Sequence, residues 1–77
     1  MLSGAEVTAI LGKFGFIVVG HAGSHAKLRR ITPYGPQMLI VPIHKEIPRG
    51  TLRGIFGQAT RFIPQADLHP HFYTSAN

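Results

Sequence analysis

The order of apolar patterns along the chain predicts an α+β fold in which two helices pack on one face of a three-stranded antiparallel sheet. A capping box opens a helical pattern near the N-terminus, three short strand patterns follow, and a second helical pattern ends at Ala59. Each helix must bury one face and the sheet has one face to offer, so we expect both helices on the same side. The opposite face of the sheet is then open to solvent or to a ligand.

The first helix is marked at both ends. The stretch SGAE, from Ser3 to Glu6, is a capping box, in which each residue can satisfy the backbone amide of the other. Apolar residues then recur at helical spacing as far as Phe14, and Gly15 supplies a left-handed stop. We therefore predict a helix over residues 3–14.

Three strands are predicted after this helix. The apolar run FIVVG, residues 16–20, lies between glycines and indicates a buried strand. The stretch HAKLRRI alternates, so that His25, Lys27 and Arg29 share one face while Ala26, Leu28 and Arg30 share the other. The turn TPYG leads to a third strand, QMLIVPIH, which has an unpaired side or an end at Pro42 because proline has no amide proton to donate.

The C-terminal part divides into a helix and a tail. Leu52, Ile55, Phe56 and Ala59 lie on one helical face, which predicts a second helix over residues 51–59. Residues 61–77 contain a candidate short helix starting at Pro64, but a further proline and a polar end favour a loosely held tail. The expected organisation is a folded domain over residues 1–60 and a tail over 61–77.

Length and composition restrict the class of protein. A chain of 77 residues holds one small domain and has no room for a second substrate domain. The absence of cysteine excludes disulfides and thiolate metal sites. No apolar run approaches the length needed to span a membrane, so we expect a soluble, cytoplasmic protein.

The charge of the chain indicates a polyanionic partner. Eight basic residues stand against three acidic ones, for a net charge of +5, and five of the eight fall between Lys27 and Arg49. Such a concentration is typical of nucleic-acid binding, although a basic charge kept for solubility alone would give the same composition.

His25 is the candidate catalytic residue. It follows the flexible pair Gly23 and Ser24, which would let backbone and a hydroxyl group approach a phosphate. An imidazole at the edge of a cationic face suits proton transfer in phosphodiester cleavage, with Lys27 and Arg29 binding the phosphate. The alternative is a surface histidine with no chemical role, and the residues alone leave both interpretations open.

Other charged residues extend the candidate RNA-binding set. Arg49 and Arg53 flank the start of the second helix, where a phosphate could dock. Arg30 and Lys45 are the remaining candidate phosphate contacts, and His44 is either a second acid/base group or a polar strand end. The histidines His69 and His71 have no carboxylate placed nearby, so we expect no metal site and no cofactor.

Several of these stretches together resemble one family. The capped helix, GF before the first strand, GSH opening the second, and VPIHKEIPRGTLRGI leading into the last helix are similar to the HicA, or YcfA-like, toxins, from Ser3 to Ala59. The resemblance implies a fold like that of double-stranded-RNA-binding domains, ribonuclease activity on mRNA, and neutralisation by a HicB antitoxin. The family's catalytic histidine is the one in GSH, which corresponds to His25. The family commonly ends in a short acidic, leucine-rich helix, and this chain departs from that pattern after Ala59.

We therefore expect a metal-independent endoribonuclease, the toxin of a type II toxin–antitoxin system, with His25 as general acid or base. Two alternatives stay open. In a non-catalytic RNA-binding module the charge and fold would suffice, and His25 would be incidental. In an interaction protein the open surface would exist for a partner chain.

Overall fold

The computed structural model describes residues 2–73 and confirms the predicted α+β class. Within these residues three strands form one antiparallel sheet, in which they lie side by side in chain order. No helix among the described residues is long and apolar enough to cross a membrane. The elements are α1 (Gly4–Gly12), β1 (Ile17–Ala22), β2 (His25–Thr32), β3 (Gly35–Pro42), α2 (Arg49–Ala59) and α3 (Gln65–Phe72).

Helix α1 begins where the sequence predicts, directly after its N-cap Ser3, but it ends at Gly12, two residues before the predicted end at Phe14. The amide of Glu6 donates to Ser3 Oγ at 3.0 Å, and the amide of Ser3 donates to Glu6 Oε1 at 2.9 Å. The bond from the Ser3 backbone stabilises the charged carboxylate and holds the pKa of Glu6 below its usual range. This contribution to stability is therefore present above the unfolded pKa and is lost as the pH falls through the folded value. After the helix, Gly15 has a φ of 94°, the left-handed conformation expected of a stop residue.

The sequence predicts a buried strand at residues 16–20; the strand forms, but the prediction that it is buried is wrong. Phe16 is buried, but β1 begins at Ile17 and is exposed along most of its length. Among residues 2–73 the strand lies at the edge of the sheet, where it pairs with β2 alone, and it has a bulge between Val18 and Gly20. A run of apolar residues shows that a strand forms but does not show whether other elements cover it.

The helices and the inner face of the sheet share one hydrophobic core. Ala26 and Leu28 of β2 and Leu39 and Val41 of β3 point into it. The helices therefore lie on a single side of the sheet, as predicted. The other buried core residues are Val7, Leu11, Phe16, Ile47, Leu52, Ile55, Ala59, Ile63, Leu68 and Phe72.

A third helix, α3, occupies residues 65–72 of the region expected to be a loose tail. It begins directly after its N-cap, Pro64, and contains Pro70 in its last turns. Leu68 and Phe72, four residues apart and so on one helical face, are buried in the common core. Their burial holds α3 against the domain despite the amide that Pro70 lacks.

The N-terminus of α1 lies directly against the end of β3. The amide of Gly4 donates to the carbonyl of His44 at 2.8 Å, and the amide of Ile47 donates to the carbonyl of Leu2 at 2.9 Å. A Cβ atom on Gly4 would overlap the carbonyl oxygen of Pro42 and lie 2.6 Å from the Cα of Ile43. Only glycine allows this close approach of the two backbones.

We expect Gly4→Ala to lower the free energy of unfolding by about 1–3 kcal/mol, because the added methyl group must push the two backbones apart. Gly54→Ala is the matched control, since a Cβ at Gly54 in α2 meets nothing within 4 Å. The control should stabilise the fold by up to about 1 kcal/mol through helix propensity. Thermal melting of both variants measures the difference, and a Gly4→Ala protein as stable as the parent would contradict the proposed contact.

Candidate functional site

The turn between β1 and β2 places His25 at the start of its strand. Ala22 and His25 form the last pair of the ladder, so Gly23 and Ser24 make a two-residue hairpin turn. Gly23 has a φ of 60° and Ser24 does not have a positive φ, which is the sign pattern of a type II′ turn. Such a turn requires glycine at its first central position. The imidazole of His25 is exposed immediately after it.

Backbone bonds hold this turn against the rest of the domain. The carbonyl of Ser24 accepts a hydrogen bond of 2.7 Å from the amide of Ile43. His25 pairs with Pro42 at the end of β3, and the carbonyl oxygen of Pro42 lies against the backbone of Gly4 at the start of α1. The turn, the end of β3 and the start of α1 therefore form one connected backbone unit, which limits the movement of His25.

His25, Lys27 and Arg29 share the face of the sheet that the helices leave uncovered, as the alternation of β2 predicts. Consecutive members of the series lie about 6.8 Å apart along the strand. Lys27 lies between Gly20 of β1 and Ile40 of β3 in the ladder. We call this uncovered surface the open face.

Four large aliphatic residues also lie on the open face, and the sequence analysis missed them. Cross-strand pairing places Ile17 and Met38 on either side of Arg29. The stretch MLIV, residues 38–41 of β3, contains a signal for this arrangement. Where helices cover only one face of a sheet, a strand with consecutive apolar residues exposes every second one. The exposed fractions are 62% for Ile17, 68% for Ile31, 44% for Met38 and 40% for Ile40.

The structure corrects the prediction that Arg30 is a candidate RNA contact. Its side chain is half-buried on the helical side of the sheet, where Nη1 donates to the carbonyl of Phe14 at 2.8 Å and Nη2 to that of Phe62 at 2.9 Å. Its Nε donates to Gln37 Oε1 at 2.9 Å, and the guanidinium lies 4.8 Å from the centre of the Phe16 ring. These contacts occupy the guanidinium within the fold, so Arg30 joins elements rather than binding a phosphate.

The remaining basic candidates lie outside the three strands of the sheet. Lys45 is exposed in the segment between β3 and α2, directly after the exposed His44. Arg49 and Arg53 are exposed on α2, in the helical layer, where they line a pocket with Tyr73. The structure therefore brings His25, Lys27 and Arg29 together and places Arg49 and Arg53 in a second, separate basic region.

The histidines of α3 take part in aromatic packing. His69 packs edge-on against Phe56 at 5.9 Å between ring centres, and His71 packs edge-on against Phe14 at 5.6 Å. Within residues 2–73 no group of three or more histidine, cysteine or acidic side chains is arranged to hold a metal ion.

We expect Arg30→Ala to destabilise the fold by about 1.5–3 kcal/mol, because three acceptors lose a charged donor and two of them are backbone carbonyls. Arg29→Ala removes the same charge from the exposed neighbour and should change stability by no more than about 0.5 kcal/mol. In a domain of this size each kcal/mol shifts the melting temperature by roughly 4–8 °C. Equal melting temperatures for the two variants would show that the Arg30 contacts contribute nothing to folding.

Comparison with known proteins identifies the family. The family model described as the HicA toxin of bacterial toxin–antitoxin systems matches residues 4–60, which include the turn, the open face and α2. The searches of curated proteins and of solved structures returned no match. The match covers well over half of the chain and agrees with the resemblance carried by the GSH turn and the α2 region. The chain therefore belongs to the HicA family of toxins, whose members act in bacterial toxin–antitoxin systems.

Proposed function

We propose that this HicA-family chain is a metal-independent endoribonuclease that cleaves mRNA, with His25 as the general acid or base. The observation that carries the proposal is the exposed imidazole of His25 at the end of the series formed with Lys27 and Arg29. As an enzyme that acts on mRNA, it would work in the cytoplasm. RNA cleavage needs a proton-transfer group beside a phosphate-binding surface, and the exposed imidazole beside Lys27 and Arg29 supports this proposal.

The proposed reaction uses chemistry that an imidazole can perform near neutral pH. His25 removes the proton from a ribose 2′-hydroxyl as its oxygen attacks phosphorus, or donates a proton to the leaving oxygen. Lys27 and Arg29 bind the phosphate oxygens and stabilise the negative charge that develops on them. A single acid/base group contributes roughly 10²- to 10⁴-fold to the rate.

The turn before His25 assists the approach of the RNA backbone. Gly23 has no side chain to obstruct a phosphate, and a Cβ there would meet nothing within 4 Å, so the space beside it is open. The exposed hydroxyl of Ser24 is available as a donor to a phosphate oxygen. We propose both residues, with Lys45 in the neighbouring segment, as RNA contacts.

Membership of the family implies an antitoxin partner, and we propose that this partner is of the HicB type and covers the open face. Aliphatic side chains such as Ile40 and Met38 offer no ring for a nucleobase to stack on, but they suit burial against another protein. Lys27 and Arg29 between them favour an acidic partner surface and would speed its capture. A partner seated there would also block access to His25.

Replacing His25 with alanine should abolish cleavage while leaving RNA affinity and melting temperature unchanged. The proposed role is proton transfer, and an exposed substitution of this kind changes stability by only about ±0.5 kcal/mol. The measurement is cleavage of end-labelled single-stranded RNA in the presence of EDTA, with binding and melting followed on the same samples.

His44→Ala is the control for this experiment, because His44 is also exposed and lies outside the sheet. Continued cleavage by the His25→Ala protein would defeat the catalytic assignment. If the parent shifts RNA without cutting it, the non-catalytic binding module is correct. If it neither binds nor cuts, the aliphatic open face supports a function in protein interaction alone.

We expect Ile40→Asp to weaken the complex with the antitoxin by at least tenfold, because it places a charge in the apolar part of the covered surface and repels an acidic partner. Gln58→Asp, an equal change of charge on the exposed side of α2, should leave the affinity unchanged. Titration of purified toxin with the co-encoded antitoxin measures both. Equal affinities for the two variants would place the antitoxin on another surface.

A further inference from the structure

A second basic region lies between α2 and the end of α3. Arg49, Leu52, Arg53 and Tyr73 line a pocket of about 240 Å³ there. Pockets that take a drug-sized ligand measure about 300–1,000 Å³, so this one suits a single ring or a phosphate-sized group. Its lining combines two guanidinium groups, one phenol ring and an apolar side chain.

The positions of the two arginines on α2 are unfavourable for cations. Arg49 and Arg53 lie one helical turn apart on α2, so their like charges are neighbours, which destabilises a helix. Both lie in the first half of α2, where the helix dipole disfavours cations, and the first turn of α2 contains no acidic residue. An anion bound between them would relieve both effects.

Tyr73 supplies an aromatic ring that is held in place and still accessible. Its ring packs against Phe56 at 5.3 Å and against His69 at 5.1 Å between ring centres. It is nevertheless 37% exposed, whereas Phe56 is only partly exposed and Phe72 is buried. A fixed, accessible ring beside guanidinium groups is the combination that proteins use to bind unpaired nucleotides.

We propose that this pocket binds one nucleotide of single-stranded RNA, with the base against Tyr73 and the adjoining phosphate between Arg49 and Arg53. The inference rests on the ribonuclease function proposed above and adds a subsite in the helical layer, apart from His25 on the open face. Tyr73 and α3 lie outside the region matched by the family model, residues 4–60. The subsite therefore depends on a part of the chain that the family match does not include.

The test measures binding of a short fluorescent single-stranded RNA at fixed salt, in a His25→Ala background that prevents cleavage. Loss of one base-stacking contact should weaken binding of the Tyr73→Ala protein roughly 5- to 150-fold. Tyr73→Phe keeps the ring and should bind as the parent does. Tyr34→Ala is the matched control, because Tyr34 is fully exposed on the turn between β2 and β3.

Arg53→Gln provides an independent measurement that does not disturb packing, because Arg53 is exposed. The Arg53→Gln protein should bind RNA more weakly. The slope of log affinity against log salt concentration should also become shallower by about one. If Tyr73→Ala lowers the melting temperature, its weaker binding could come from partial unfolding. The RNA affinity of the Arg53→Gln protein then decides whether the pocket binds RNA. RNA binding left unchanged by both substitutions would overturn the subsite but keep the proposed function, whereas a parent that binds no RNA would overturn both.

Discussion

The contacts of Arg30 join the segments that follow α1 and α2 to one side of the sheet. Its guanidinium donates to the carbonyl of Phe14 just after α1 and to that of Phe62 between α2 and α3, while also bonding Gln37 of β3. Both carbonyls belong to segments that follow a helix, so this one cation satisfies two backbone acceptors outside the helices and ties both segments to the sheet. Because side chains alternate along a strand, Arg30 facing the helices requires Arg29 to face away from them.

The consequence is a molecule with two basic surfaces of different chemistry. On the open face, cations stand among aliphatic side chains, and His25 lies at one end beside the turn. In the helical layer, Arg49 and Arg53 stand beside the ring of Tyr73. Aliphatic surroundings suit a protein partner, whereas an aromatic ring suits a nucleobase. The toxin family requires both kinds of partner if its members cut RNA and are held by an antitoxin.

Local sequence patterns predicted much of this fold. They failed where burial depends on elements that are distant in the sequence. The capping box at Ser3, the stop at Gly15 and the strand end at Pro42 depend on the residue itself and a few others nearby, and the structure has all three. The burial of β1 could not be predicted, because it depends on whether a fourth strand or a helix covers it. The spacing of Leu68 and Phe72 is a local pattern that indicates a buried helical face in α3. Pro70 between them argues against a helix, so the pattern by itself did not decide the prediction.

The sequence by itself determined that His25, Lys27 and Arg29 share a face, because the period of a strand is two whatever surrounds it. It also determined that the flexible pair Gly23 and Ser24 precedes His25, whereas the tight two-residue turn follows from the pairing of Ala22 with His25. Only the tertiary structure decided that this face is the uncovered one, that Arg30 serves the fold, and that Tyr73 meets Arg49 and Arg53. The reason is physical: periodicity is a property of neighbouring residues, whereas contact between distant segments depends on how the whole chain buries its apolar surface.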